Sequence, residues 1–307
     1  MIGRLLVAAL AVCVAWQEQV PRPTFRTSVD AVTVDVSVRD RARPVIDLTA
    51  ADFRVLDNDV PQEVLDVSYG KLPIDVTVAL DVSLSVTGRL LRDLRDATLN
   101  LMKDLGPDDR LRLITFNARI SRTVDFTRDT QAVGQAIQEA VAGGGTSIYD
   151  AVSTALVSAD IPDRRQLLVL LTDGADSTSI TEPRVLFEVA QRSNVAVSTV
   201  MPMLTVITQG PVLSSGLSGT RVFRTSALRA NPLFLRLAAE TGGTLIAGLG
   251  GANLQSTFRS VLERFRSSYV LHYVPKGVTP GGFHTITVTV PGRERLTINA
   301  RRGYSLQ

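Results

Sequence analysis

The sequence predicts an α/β fold: a doubly wound, mostly parallel sheet of Rossmann-like winding, flanked by a β-rich accessory unit drawn from both chain ends. Three observations predict it. Apolar runs of strand length at residues 74–80, 111–116, 166–172 and 195–201 alternate with stretches of helical period, the grammar of βαβ units. Three of these runs are nearly continuous in apolar residues, as strands covered on both faces must be. Toward both ends the period drops to two, the mark of strands with one wet face. With 45% apolar and 21% charged residues over 307 positions, the chain can fill one large core or two ordinary ones and is not a disordered polymer. A formal charge of +3, with the arginines scattered, does not suggest a nucleic-acid partner.

Residues 1–15 read as a signal peptide. Arg4 precedes a short apolar stretch from Leu5 to Trp16, well short of the roughly 20 residues that a bilayer span needs. The polar Gln17, Glu18 and Gln19 follow a cleavage position near Ala15. Export to the periplasm or the extracellular space is the matching expectation, with no membrane span after cleavage; a buried N-terminal helix is the bland alternative. Cys13, in Leu10-Ala11-Val12-Cys13, faintly resembles a lipoprotein signal, but Val12 stands where such signals want a small residue. If Cys13 leaves with the signal, no thiol chemistry or disulfide remains.

Residues 16–71 form the first β segment. Val32, Val34, Val36 and Val38 alternate with Thr33, Asp35, Ser37 and Arg39, and Asp57-Asn58-Asp59 reads as a turn between strands at 53–56 and 64–68. The α/β domain covers 72–268. Its helical faces are Leu90, Leu91, Leu94, Ala97, Leu101, Met102 and Leu105; then Val133, Ala136, Ile137, Ala140 and Val141; then Ile148, Val152, Ala155 and Leu156. Pro183 and the pair Asn231-Pro232 mark two further helix starts. Residues 205–229, Gly/Ser-rich in part, fit neither pattern and read as an insertion. Residues 269–307 return to strands at 269–274, 283–290 and 296–300, and the two β-rich ends are expected to pair into one β-sandwich. His272 and His284 fall on these strands and read as structural.

Open α/β sheets bind ligands outside the carboxyl ends of their strands. The first central run ends in Asp81-Val82-Ser83-Leu84-Ser85, Gly143-Gly144-Gly145-Thr146 precedes the helix of Ile148, and the 166–171 run ends in Thr172-Asp173-Gly174. The winding brings all three to one edge. Taken singly, Asp81 or Thr146 is a helix cap and Ser83 and Ser85 are turn residues. Together, Asp81, Ser83, Ser85, Thr146 and Asp173 offer two carboxylates and three hydroxyls, with no imidazole or thiolate beside them. That set suits a hard cation, Mg²⁺ or Mn²⁺, at about 2.0–2.1 Å for Mg²⁺. Two carboxylates only neutralise a divalent ion, so the site should hold its metal weakly and attract an Asp or Glu carboxylate from a protein partner.

Asp81-x-Ser83-x-Ser85, Thr146 after glycines and Thr172-Asp173-Gly174 resemble the metal-ion-dependent adhesion site (MIDAS) of von Willebrand factor A-type (VWA) domains. The likeness is strongest over about residues 72–200 and holds in type and order at all five positions. It implies that Ser83, Ser85 and Thr146 contact the ion directly in the ligand-ready state, while Asp81 and Asp173 act largely through water. Leu84 and Val86 depart from the small residue and the Met often found there. The flanks, Leu48-Thr49-Ala50-Ala51-Asp52-Phe53, Tyr269-Val270-Leu271-His272-Tyr273 and Ala300-Arg301-Arg302-Gly303-Tyr304, resemble the bacterial "VWFA-related" family of acidobacterial type, with Ala42 where that family often has Gly. That resemblance implies a secretion signal and flanking β segments around a central VWA module.

The expected function is an exported, non-enzymatic, adhesion-type module that binds a protein partner through its metal. Residues 86–89, 117–120, 143–147 and 176–181 should set specificity. One alternative is an assembly module whose site is filled from within; the other is a metal-dependent hydrolase. Against enzymes, Ser83 stands where a haloacid-dehalogenase-like phosphatase needs a second Asp. There is no Gly-x-Ser-x-Gly elbow, and no Gly-x-Gly-x-x-Gly follows the first central run.

Overall fold

The computed structural model describes residues 31–158, 163–202, 232–249 and 254–306. The expected signal peptide (1–15) and insertion (205–229) lie outside the described residues. From the amino-terminal side come β1 (Val32–Asp40), β2 (Arg43–Pro44), a 3-10 turn (Ala50–Asp52), β3 (Arg54–Asp57), β4 (Val60–Gln62) and β5 (Val64–Tyr69). The α/β part follows with β6 (Ile74–Asp81), α1 (Gly88–Lys103), β7 (Arg110–Phe116), β8 (Ile120–Thr127), α2 (Thr130–Glu139), α3 (Ile148–Val157) and β9 (Arg165–Leu171). It continues through α4 (Pro183–Arg192), β10 (Ala196–Pro202), α5 (Pro232–Thr241), β11 (Leu245–Leu249) and α6 (Leu254–Arg266). The chain closes with β12 (Tyr269–Tyr273), β13 (Gly282–Thr289), β14 (Thr297–Ala300) and β15 (Gly303–Leu306).

The central sheet runs β11-β10-β9-β6-β7-β8, parallel throughout except where β8 pairs back on β7. Every residue of β6 and β9 is buried, which is why their sequences carry no alternation. Leu94 and Leu101 of α1, Ile137 of α2 and Phe258 and Leu262 of α6 cover one face. Val152 of α3, Leu186 of α4 and Phe234 and Leu237 of α5 cover the other, so the sheet is doubly wound. Local chemistry sets the helix starts. Asp129 accepts the Gln131 and Ala132 amides ahead of α2, and Pro183 opens α4, where a missing N–H costs nothing. Among the described residues no helix is long and apolar enough to cross a membrane.

The two chain ends pair with each other. Antiparallel β1 lies between β12 (Val34 opposite Leu271) and β14 (Ser37 opposite Asn299), and β12 also pairs β5. β15-β13-β3-β4 forms the facing sheet. Val34, Val36 and Val38 pack with Val55, Leu271, Tyr273, Ile286 and Val288 between the two. Within this core Asp57 accepts from the hydroxyls of Tyr273 (2.9 Å) and Tyr304 (2.7 Å), with His284 Nδ1 at 2.8 Å. Burial pushes both tyrosines above their ordinary range, which keeps them as donors.

Several expectations need correction. The 57–59 turn leads into β4, not directly to the 64–68 strand. Asn58 (φ 47°) and Asp59 (φ 65°) are both left-handed and close a tight hairpin with Asp57 opposite Val60. Pro61 masks β4 in the sequence, yet fits because β4 is an edge strand. α2 ends at Glu139, so Val141 falls beyond the helix and is 79% exposed. The strands β8, β11 and β15 and the helix α6 are additions that the apolar periodicity did not disclose.

The polar face of β1 is not simply wet. Asp35 pairs with buried Arg165, the first residue of β9, at 2.6 Å. Arg165 also donates to the Phe265 carbonyl (2.7 Å) and lies over the Phe265 ring at 4.0 Å. Asp35→Asn leaves a buried guanidinium without its counter-charge and is expected to lower the unfolding free energy by about 3 kcal/mol in urea titrations. The double change Asp35→Leu/Arg165→Met, which removes both charges, is expected to cost much less; equal losses for the two variants would show that the charge pair is not what matters.

Candidate metal site

Parallel pairing of β6 with β9 sets Leu80 opposite Leu171, so Asp81 and Thr172 emerge side by side at the carboxyl edge. The Thr172 hydroxyl donates to Asp81 Oδ2 (2.7 Å) and the Ser83 amide to Oδ1 (2.9 Å), fixing a carboxylate that is fully buried. The chain then turns, with the Val86 amide on the Ser83 carbonyl at 3.1 Å, and this places Ser83 Oγ 3.0 Å from Ser85 Oγ. The glycine segment is clipped onto this turn: Gly143 N donates to Val82 O (2.8 Å) and Leu84 N to Gly144 O (3.2 Å). Thr146, buried two residues later, accepts at its carbonyl from Ser177 N (2.8 Å), and its amide donates to Ser177 Oγ (2.9 Å). Asp173 is half-buried directly after Thr172, with Ala175 N 3.4 Å from its Oδ1. Gly174 holds φ at 93°, a backbone conformation that L side chains rarely adopt, which is why glycine follows Asp173.

The structure therefore carries all five expected residues on one edge. Asp81, Ser83 and Ser85 are linked through hydrogen bonds, and Thr146 and Asp173 are positioned by the backbone of adjoining turns. Thr146 is not the cap of α3; Ser147 holds that place, and Asp176 Oδ1 accepts the Ile148 amide at 2.7 Å. The sequence brings Thr172 into the motif and Asp176 and Ser177 into a specificity loop, but does not disclose their roles in holding Asp81, Ile148 and Thr146. Thr172 had a legible signal, a hydroxyl at the last buried position of an apolar strand. Asp176 and Ser177 had none, because their partners lie far away in sequence. Of the residues expected to set specificity, Val86 is buried. Ile180 on the 176–181 segment (93% exposed) and Leu84, between the two serines (67% exposed), are large apolar side chains left open.

Burial raises the Asp81 carboxyl above its ordinary value; hydrogen bonds from Ser83 and Thr172 oppose this, and the Asp173 charge adds to it. None of these influences is cationic. The adjacent carboxylates are committed elsewhere: Asp150 accepts the Ile180 (3.0 Å) and Thr181 (2.7 Å) amides, and Asp176 accepts from Ser179 Oγ (2.6 Å) as well as Ile148. Among the described residues no group of three or more His, Cys, Asp or Glu side chains could hold an ion, so a metal here draws on hydroxyl oxygens. The donor set, hard oxygens around a buried anion that lacks a counter-charge, fits a divalent cation such as Mg²⁺.

Residues 75–218 match the family model of the von Willebrand factor type A domain. Inter-alpha-trypsin inhibitor heavy chain H4 of Sus scrofa is 29% identical over 126 residues, which cover 38% of this chain and 14% of that protein. An uncharacterised protein of Synechocystis sp. is 33% identical over 108 residues, 34% of this chain and 26% of its own length. The chain thus spans well under half the length of the curated relatives it matches. Solved structures of similar fold include the von Willebrand factor type A protein from Catenulispora acidiphila (12% identity, 92% of this chain and 74% of that one, TM-score 0.49). Another is an aerotolerance-related membrane protein from Bacteroides fragilis (18% identity, 62% and 98%, TM-score 0.48).

A carboxyl group that is raised in the native state binds its proton more tightly there than in the unfolded chain. Folding stability therefore falls as pH rises from the ordinary aspartate range through the raised value of Asp81. In EDTA, at pH values above that window, Asp81→Asn is expected to unfold at a higher temperature than wild type. In millimolar Mg²⁺ the order should reverse. A lower midpoint for Asp81→Asn in both conditions would show that the Asp81 charge carries no native-state penalty.

Proposed function

We propose that this chain, a von Willebrand factor type A domain protein, binds a protein partner through a divalent metal held at Asp81, Ser83, Ser85, Thr146 and Asp173. An Asp or Glu carboxylate of the partner completes the coordination. The observation that carries the reading is the buried, uncompensated Asp81 beside Asp173, at an edge where Asp150 and Asp176 are already spent on backbone amides. Bound there, Mg²⁺ or Mn²⁺ supplies the missing positive charge and a Lewis-acidic position for an incoming oxygen. The chain's own residues do the rest. Thr172 and the Ser83 amide hold Asp81 in place, and the backbone clip from Gly143 and Gly144 keeps the serine turn fixed before any partner arrives. Such preorganisation lowers the ordering cost of binding.

In this reading the module is 72–268, and 16–71 with 269–307 form one accessory β unit. The protein is exported after loss of residues 1–15, and it binds rather than catalyses. The committed state of Asp150 and Asp176 favours an external carboxylate over internal filling, which separates this reading from a purely structural module.

Thermal unfolding of the chain with EDTA, Mg²⁺ or Mn²⁺ tests the site. A metal at a hundred times its dissociation constant stabilises by about 2.7 kcal/mol, which raises the midpoint by roughly 5 °C at this size. The rise is expected to vanish in Asp81→Ala and Ser83→Ala. A rise that both variants retain would place the metal elsewhere. No rise at millimolar metal would hand the protein to the structural reading.

A further inference from the structure

A second polar site lies toward the opposite end of the sheet from Asp81. The face of β1 that carries Asp35, Ser37 and Arg39 points away from the sandwich core, and β14 sets Asn299 opposite Ser37. With Arg264 of α6 and Thr244 ahead of β11, these residues line a cleft of about 280 Å³ between the five-stranded sheet and the α/β part. Phe265 is among its apolar walls.

The charge balance of the cleft is unusual. Arg39 commits Nη1 to the Ala42 carbonyl (2.8 Å) and Nη2 to Ser267 Oγ (3.1 Å), but its Nε is buried with no partner. Burial first, and then the like charge of Arg264, pull Arg39 below the ordinary arginine value, while Tyr69 and Glu263 act weakly the other way. The carboxylate among the lining residues, Asp35, is already paired at 2.6 Å with Arg165. Asn299 spends its Nδ2 on the Gly242 (3.0 Å) and Gly243 (3.3 Å) carbonyls, which leaves Oδ1 to accept. Buried donors without partners are rare because each carries a desolvation cost, and a planar guanidinium is best satisfied by a carboxylate or a phosphate.

We propose that this cleft binds a small hydroxylated organic anion, its carboxylate or phosphate seated between Arg39 and Arg264 and its hydroxyl groups meeting Ser37 and Asn299. Water occupies about 30 Å³ per molecule in the liquid, so the cleft has room for roughly nine waters, enough for a sugar acid or a sugar phosphate. Register separates this site from the metal edge. Arg165, which pins Asp35, opens β9, whereas Thr172 follows its last residue.

Calorimetric titration of the full chain in EDTA with glucuronate, glucose 6-phosphate and glucose tests the proposal, beside Arg264→Glu and Asp81→Ala. The Arg264 side chain is exposed, and Arg264→Glu removes a like charge beside Arg39, so the variant should unfold at a midpoint no lower than that of wild type. Saturable heat is expected with at least one of the two anions and none with glucose; the tighter anion identifies the headgroup. Arg264→Glu should weaken that affinity by at least about tenfold, the loss of one charge-assisted hydrogen bond, and Asp81→Ala should leave it unchanged. No saturable heat with either anion to about 10 mM, equal binding of glucose, or full affinity in Arg264→Glu would each overturn the proposal.

Discussion

The buried guanidinium of Arg165 is the constraint on which the rest of the structure depends. A charge removed from water destabilises the fold by several kcal/mol unless hydrogen bonds and a counter-charge compensate it. Here the compensation comes from three directions: Asp35 on β1, the Phe265 carbonyl at the end of α6, and Ser268 Oγ, beside an aromatic face. Those partners are the first strand of the sandwich and the junction where the chain leaves the α/β part. One side chain thereby fixes the position of both sandwich ends relative to β9. Arg301 repeats the device from the far side, reaching from the last strands to the Gln191 carbonyl in the last turn of α4 (2.9 Å) and to Asn194 just beyond it (3.1 Å).

The two ends of β6 show how the same residue type acquires opposite chemistry. Asp75 and Asp81 are both buried aspartates on one strand. Burial pushes Asp75 up, but Arg110 at 2.6 Å and Arg164 at 2.6 Å outweigh it and hold Asp75 below its ordinary value. Asp81 meets no arginine among its main influences and is raised. The amino edge is thus electrically closed, with Asp75, Asp35 and Asp109 each paired to arginine. The carboxyl edge keeps its negative charge in reserve. That asymmetry, more than the presence of Asp81 as such, is what supports the proposal of a cation at the carboxyl edge.

The central strands and the five candidate ligands were legible because they rest on local rules: an unbroken apolar run means a strand covered twice, and strand ends in a doubly wound sheet share an edge. What stayed hidden depends on partners distant in sequence. β8 reads as polar because it is an antiparallel edge strand, and β4 is disguised by Pro61. The alternation of β1 correctly announced one apolar and one polar face, yet could not say that Asp35 on the polar face meets an arginine 130 residues away. Thr172 stands in the sequence motif without a role of its own, because a threonine at a strand end has many uses and only the Asp81 carboxylate beside it selects one.

The route of the chain explains why the candidate metal edge stays open. β5 ends at Tyr69 and β6 begins at Ile74, so the sandwich joins the sheet at the amino end of its central strand. The return path leaves α6 at Arg266 and enters β12 at Tyr269, beside the same Arg165 that opens β9. Both connections are short, and both are pinned at the amino edge. β9 rises about 3.3 Å per residue over the seven residues from Arg165 to Leu171, so Thr172 and Asp173 emerge about 23 Å from that anchorage. A sandwich tied down on one side of such a strut leaves the Asp81 edge framed by its own loops. The placement of that edge is therefore decided by contacts at the other end of the molecule.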